Sequence, residues 1–464
     1  MAAGHNESEP DTAENVSIAT GGLRIEWAFS AAILISIAVA AWRLSVDGYL
    51  PTPFYFRVDQ TLMDLYSTAY WANHGGAYLT WNSVYPPLSF VLLKVISIGG
   101  CYVNGPLAGR LCDWRSAAAL ALLFVGNLWL VFRGYRWMRI RAAAPRTIAT
   151  CIGLPMLYTL ERGNLLIPCF TCFVLGFGDL LRWRGARWLA MALAMNFKPY
   201  LVFSVLPFVA RRAWLGLIAC GVLFIAVYGL TYLLDGAGTP LEVIANESKY
   251  AAVKSDHYFS DLYFATAYWP LIRLLRAAPP GLTLAPPAVA AAIALGLEAA
   301  IRLAQLAFAA CCAVALFRPG RVDIRRFGAM VACISLTAFT TGSAGYVQIF
   351  LFFLLFYEPW RGSVRIAILT CAYLLCLPLD LTLLPVVSEH AVSFLTGRSV
   401  VTHFGVTLGQ LVRPGLLLVI QFGLVAINFA DLSRRGGEAS RLNGQPVWFS
   451  AARPPAPKPG APRS

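Results

Sequence analysis

The chain has 464 residues, 58% hydrophobic and 13% charged, with a mean hydropathy of +0.64, a balance that excludes an ordinary soluble globular protein. Its formal net charge of +14 does not imply nucleic acid, because the basic residues lie in short clusters between apolar runs and form no continuous stripe. Clusters of that kind set the orientation of a membrane protein, so one polytopic domain is expected rather than two soluble ones.

Residues 1–24 are polar and acidic and lack a basic n-region. They read as a disordered tail, and the apolar run near residues 26–44 is kept as a first span instead of being removed as a signal peptide. The integral-membrane domain covers residues 25–432. In the first polar loop, Val58 to Asn73 predicts a short helix carrying Asp59 and Asp64, which are five apart and need not share a face. Asn73-His74-Gly75-Gly76 supplies the left-handed geometry that ends such a helix. Tyr85-Pro86-Pro87 starts the next segment, since Pro is tolerated in a first helical turn and restricts the residue before it.

Arginine clusters mark loops on the cytoplasmic side: Arg133, Arg136, Arg139, Arg141 and Arg146, then Arg182, Arg184 and Arg187, then Arg211 and Arg212, then Arg318, Arg321, Arg325 and Arg326, then Arg361 and Arg365. Outside segments are therefore expected near 162–164, near 196–199, from 235 to 287, near 341–343 and from 381 to 412. Two ordinary spans barely fit between Arg187 and Arg212, which predicts short or broken helices at Lys198-Pro199, as allowed beside a cavity. Between Asp261 and Arg276 an amphipathic helix is expected in the interface, anchored by Tyr263, Phe264, Tyr268 and Trp269.

The parity of the clusters fails if residues 86–103 and 116–132 both cross fully from a cytoplasmic N-terminus. Either the Tyr85-Pro86-Pro87 segment dips and returns, or the N-terminus lies on the other side. The fold class is an all-α polytopic membrane protein with about ten to twelve membrane segments. Residues 433–464, rich in Pro, Gly and Arg, read as a disordered basic tail. Of eleven cysteines most sit inside apolar runs as small hydrophobes; only Cys101 and Cys112 are placed to pair, in an oxidising loop.

Three polar features interrupt the apolar pattern. Glu161-Arg162-Gly163-Asn164 puts a carboxylate, a guanidinium and an amide at a membrane edge; an ion-paired turn is the plainer explanation, a functional site the alternative, because polar groups there are costly. Lys198 either snorkels to headgroups or meets a lipid-linked phosphate whose departure its charge would favour. His257, with His390 and His403, lacks the spacing of a metal site, and no metal or cofactor is expected.

Asp64-Leu65-Tyr66, Gly75-Gly76-Ala77-Tyr78, Tyr85-Pro86-Pro87-Leu88, Arg162-Gly163-Asn164 and Phe197-Lys198-Pro199 together resemble the polytopic glycosyltransferases of family 87. The short motifs are spread over roughly residues 25–430, and Asn164 stands where that family commonly has Gln. The resemblance implies the membrane-embedded C-type glycosyltransferase fold and a polyprenyl-phosphate sugar donor, typically of mannose. It implies Asp64, rather than Asp59, as the catalytic base in the first outside loop. Lys198, with Arg162 or Arg57, would then hold the donor phosphate, and Asn164, Tyr66, Tyr85 and His257 complete the expected substrate-binding set. The acceptor would be a lipid or glycan, and the location the inner (plasma) membrane with the site facing outside. Two other readings stand beside it. A secondary transporter or lipid-linked sugar flippase would use intramembrane Lys and Glu as a path, although the chain carries no internal hydropathy repeat. A structural subunit of a polysaccharide assembly would make Asp64 dispensable.

Overall fold

Prolines, glycines and the lengths of the apolar runs decide where the helices of this chain begin and end. A computed structural model describes residues 11–54, 57–253, 268–276, 285–339 and 345–433. The described residues are mostly helical. Helix α1 runs over Asp11–Asp47, so it starts inside the stretch expected to be a tail. The C-terminal tail beyond residue 433 lies outside the described residues.

Helix α2 covers Met63–His74, shorter than predicted from Val58, because Leu62 adopts a left-handed conformation (φ 63°) that a continuing helix cannot contain. It stops as expected at Gly75 (φ 72°), whose N–H donates to the Trp71 carbonyl. Helix α3, Pro87–Ile96, begins at the double proline. Its ten residues rise about 15 Å, half of a hydrocarbon core of about 30 Å. By length alone this helix is too short to cross a membrane.

The chain then makes α4 (Pro106–Cys112) and α5 (Trp114–Trp137). Asp113 between them is fully buried. It caps α5 by accepting from Ser116 N at 3.2 Å, and it also accepts from the Ser116 and Tyr102 hydroxyls, each at 2.7 Å. Cys101 and Cys112 form the disulfide that their loop allowed. Helices α6 (Ala143–Ile152), α7 (Leu154–Arg162) and α8 (Leu166–Phe177) follow with tight connections. Helix α9 (Arg184–Phe197) ends at Lys198, which is extended ahead of Pro199, and the chain continues in a 3-10 turn over Pro199–Val205 and a short helix over Leu206–Ala210. The break expected at Lys198-Pro199 is therefore present.

Five described helices are long and apolar enough to cross a membrane: Gly22–Asp47 of α1, Trp114–Trp137, Trp214–Asp235, Pro287–Phe317 and Leu408–Ser433. Shorter apolar helices at Leu166–Phe177 and Ile349–Leu355 fill the centre of the bundle, where Phe170, Phe173, Phe350 and Phe353 meet edge to face. The Ile349–Leu355 helix is buried on every side, as a helix apolar all round must be.

Two expectations need correction. The helix Tyr268–Arg276 does not display Tyr268 as an interfacial anchor. Tyr268, Leu271, Ile272 and Leu274 are buried, and Arg276 pairs with Glu298 at 2.7 Å, so the helix packs on Pro287–Phe317. Tyr263 and Phe264 lie outside the described residues. The last expected outside segment departs from the all-α fold class by forming an antiparallel hairpin of Thr382–Val392 and Ser399–Thr407, with Val392 opposite Ser399. Its second strand, Ser399-Val400-Val401-Thr402, has the β-branched composition of a strand. The hairpin leans on the start of the site loop: Phe394 N donates to the Val58 carbonyl, and Thr396 to the Gly48 carbonyl.

Candidate functional site

The turn between α7 and α8 brings the polar groups together. Gly163 sits there at φ 67°, a conformation that favours glycine. A Cβ at this position would come within 2.9 Å of the Leu65 side chain and 3.1 Å of Leu62. The turn therefore lies directly on the start of α2, and Leu62 N donates to the Glu161 carbonyl at 2.8 Å.

That contact sets Asp64, in the first turn of α2, between the two residues flanking Gly163. Arg162 Nη2 donates to Asp64 Oδ1 at 2.8 Å and Asn164 Nδ2 to Oδ2 at 2.8 Å. Asn164 Nδ2 also lies 3.3 Å from the Tyr85 hydroxyl, while its Oδ1 accepts from Leu166 N at 3.0 Å and so helps to start α8. The Lys198 ammonium stands 4.1 Å from the centre of the Tyr85 ring, a cation–π contact. Four separate segments thus contribute Asp64, Tyr85, Arg162 with Asn164, and Lys198 to one cluster. The Asp64 side chain remains 24% exposed and that of Arg162 15%, so the carboxylate is held but reachable.

Burial works against the charge of Arg162, yet Asp64, Tyr158 and Glu161 together outweigh it and hold the guanidinium above its ordinary range. Glu161 behaves in the opposite way. Burial pushes its carboxyl up to about 7, against the lowering effects of Arg162 and the Thr61 hydroxyl bond. One of its oxygens accepts from Thr61 at 3.0 Å; the other is buried without a hydrogen-bond partner among the described residues. The site therefore holds one paired carboxylate and, beside it, one that exchanges its proton near neutrality.

Asp64, Arg162, Asn164, Tyr85 and Lys198, predicted from separate motifs, converge. Other expected members do not join them. Tyr66 is buried, and its hydroxyl donates to the Asp113 carbonyl at 3.2 Å, away from Asp64. Arg57 is exposed. His257 lies outside the described residues. Asp59 carries Gln60 on its side chain at 3.0 Å and Arg110 on its carbonyl at 2.6 Å, a loop-bracing role distinct from that of Asp64. Thr61, which anchors Glu161, was not anticipated, and its only signal would have been its position three residues before Asp64. His403 pairs with Ser388 across the hairpin at 2.9 Å. No group of three or more His, Cys, Asp or Glu that could hold a metal occurs among the described residues. No protein-family model matches the sequence, and no curated protein or solved structure matches it.

Proposed function

We propose that the chain is a membrane glycosyltransferase that moves a sugar, mannose or another hexose, from a polyprenyl-phosphate donor to a lipid or glycan acceptor, as the family 87 resemblance implies. The observation that carries the reading is the convergence of a reachable carboxylate, Asp64, with two cations, Arg162 and Lys198, at the ends of short or broken helices.

Asp64 takes the proton of the acceptor hydroxyl as its oxygen attacks the anomeric carbon. The bond from that carbon to the phosphate oxygen breaks, and the polyprenyl phosphate leaves with its charge balanced by Lys198 and Arg162. A single displacement of this kind inverts the anomeric configuration. Tyr85 lies between the halves of the site, on Asn164 through its hydroxyl and under Lys198 through its ring.

Two features support an outward-facing site in a plasma membrane. The Cys101–Cys112 disulfide lies on the loop side that carries Asp64, and such bonds persist in oxidising compartments. The arginine-rich loops sit at the other end of the spans, as cytoplasmic loops do. The test is transfer by the purified protein in lipid vesicles supplied with a radiolabelled polyprenyl-phosphate mannose and a mixed pool of lipid and glycan acceptors. Label in a new glycosidic linkage is the expected result. Label that crosses the bilayer while still attached to the polyprenyl phosphate would instead establish the flippase reading.

A further inference from the structure

Helix α1 measures the distance between two chemically different ends of the molecule. Near its C-terminal end, the Gly48 and Ser45 carbonyls accept from Thr396 and Arg398 of the hairpin, on the side of the Asp64 loop. Glu26, near the start of the apolar span Gly22–Asp47, is about 30 Å away along the axis at 1.5 Å per residue. There a cavity of about 390 Å³ opens between α1, the α5–α6 turn and the loop before the helix Ser363–Leu375.

The floor of this cavity is a buried ion pair. Arg146 donates to both Glu26 oxygens, at 2.7 and 2.8 Å, and the Tyr373 hydroxyl adds a third hydrogen bond at 2.8 Å. Arg146 also donates to the Glu358 carbonyl at 2.7 Å. Among the described residues, the one carboxylate lining the cavity is thereby neutralised from within. Around the rim stand Arg139, Arg141 and Arg361, all exposed, with Trp360 beside them. Arg139 occupies a left-handed conformation, φ 57°, which is uncommon for a side-chain-bearing residue. Arginines that served orientation alone would need neither a cavity nor a neutralised floor.

We infer that this basin binds the phosphate of an anionic phospholipid headgroup in the leaflet opposite the Asp64 site. Guanidinium groups match phosphate oxygens bidentately, basic pockets between spans suit lipid headgroups, and a tryptophan such as Trp360 beside the rim is a residue type enriched at membrane interfaces. The same chemistry would accept a free phosphate, so the experiment must separate the two sources.

The test uses the full-length protein purified in neutral detergent and titrated with labelled phosphatidylglycerol, phosphatidylcholine and soluble glycerol phosphate. The parent is expected to bind phosphatidylglycerol selectively, and the combined variant R139A/R141A/R361A to lose about tenfold or more of that affinity. The control R133A/R136A, altered on the same face outside the cavity, should keep it. Unchanged binding in the triple variant, or an equal loss in the control, overturns the site. Glycerol phosphate binding as tightly as the lipid overturns the lipid assignment. Should the alanine variant fail to fold, the single exchanges R139Q and R141Q carry the same comparison, with about a threefold loss expected from each and unchanged affinity in both overturning the site.

Discussion

Replacing Asp64 with Asn keeps the shape of the side chain and removes its charge and basicity. The carboxylate now receives two donors, Arg162 Nη2 and Asn164 Nδ2, each at 2.8 Å. An amide can accept only through its single oxygen, so one of these donors must face the new NH₂ group. Leaving that donor unmatched costs about 1–3 kcal/mol of stability, which a melting curve will register. Loss of a general base slows the chemical step about 10²- to 10⁴-fold, or roughly 3–5 kcal/mol in the barrier. The two effects separate when turnover is measured well below the melting temperature and compared with Asn164→Ala, which removes one of the two donors to Asp64, together with the Tyr85 and Leu166 contacts, but retains the base. Sugar transfer from a polyprenyl-phosphate donor should collapse in D64N and fall less than about tenfold in N164A. If D64N keeps transfer within about tenfold of the parent, or N164A loses as much, Asp64 is not the base.

Gly163→Ala puts a side chain 2.9 Å from Leu65 at a positive φ, and should lower stability by about 2–3 kcal/mol while reducing transfer; an unchanged melting temperature would mean that the turn is not what seats Asp64. Lys198→Ala should raise KM for the donor about tenfold or more and leave that for the acceptor unchanged, with Lys198→Arg partly restoring it; steady-state kinetics against both substrates would contradict the phosphate-holding role if only the acceptor KM moved. Glu161 predicts a pH dependence. Folded, its carboxyl keeps the proton up to about 7, whereas unfolded it releases it near 4.5. Its contribution is therefore fully present below pH 4.5 and is lost as pH rises through 7, an amount of roughly 3 kcal/mol. Glu161→Gln should remove that slope, so that the variant gains on the parent between pH 5 and pH 8 in paired thermal melts; parallel curves would show that Glu161 does not titrate in this range.

Much of the helix punctuation was legible in the sequence because it is local chemistry. The Gly75 end of α2, the Pro86-Pro87 start of α3 and the Lys198-Pro199 break each follow from one or two residues acting on their own backbone. The pairing of Asp64 with Arg162 was not legible from spacing, since 98 residues separate them; only the resemblance placed their motifs in one site. Tyr66 was misplaced for a geometric reason. Two residues along a helix turn the side chain by about 200°, so a residue at this spacing from Asp64 faces away, and Tyr66 meets Asp113 instead. The hairpin was hidden because Pro385 and the leucines of its first strand obscure the alternation that its second strand displays. The depth of the pairing between Glu26 and Arg146 likewise has no local signal, with 120 residues between them.

Arg162 and Asn164 flank a single left-handed glycine, and this makes their two hydrogen bonds to Asp64 mechanically one object. A displacement of the turn's backbone would carry both donors with it. A shift of α7 and α8 against α2 would free both oxygens together, and a return would engage both. The carboxylate is in effect fastened by a latch whose two donors ride on one backbone turn.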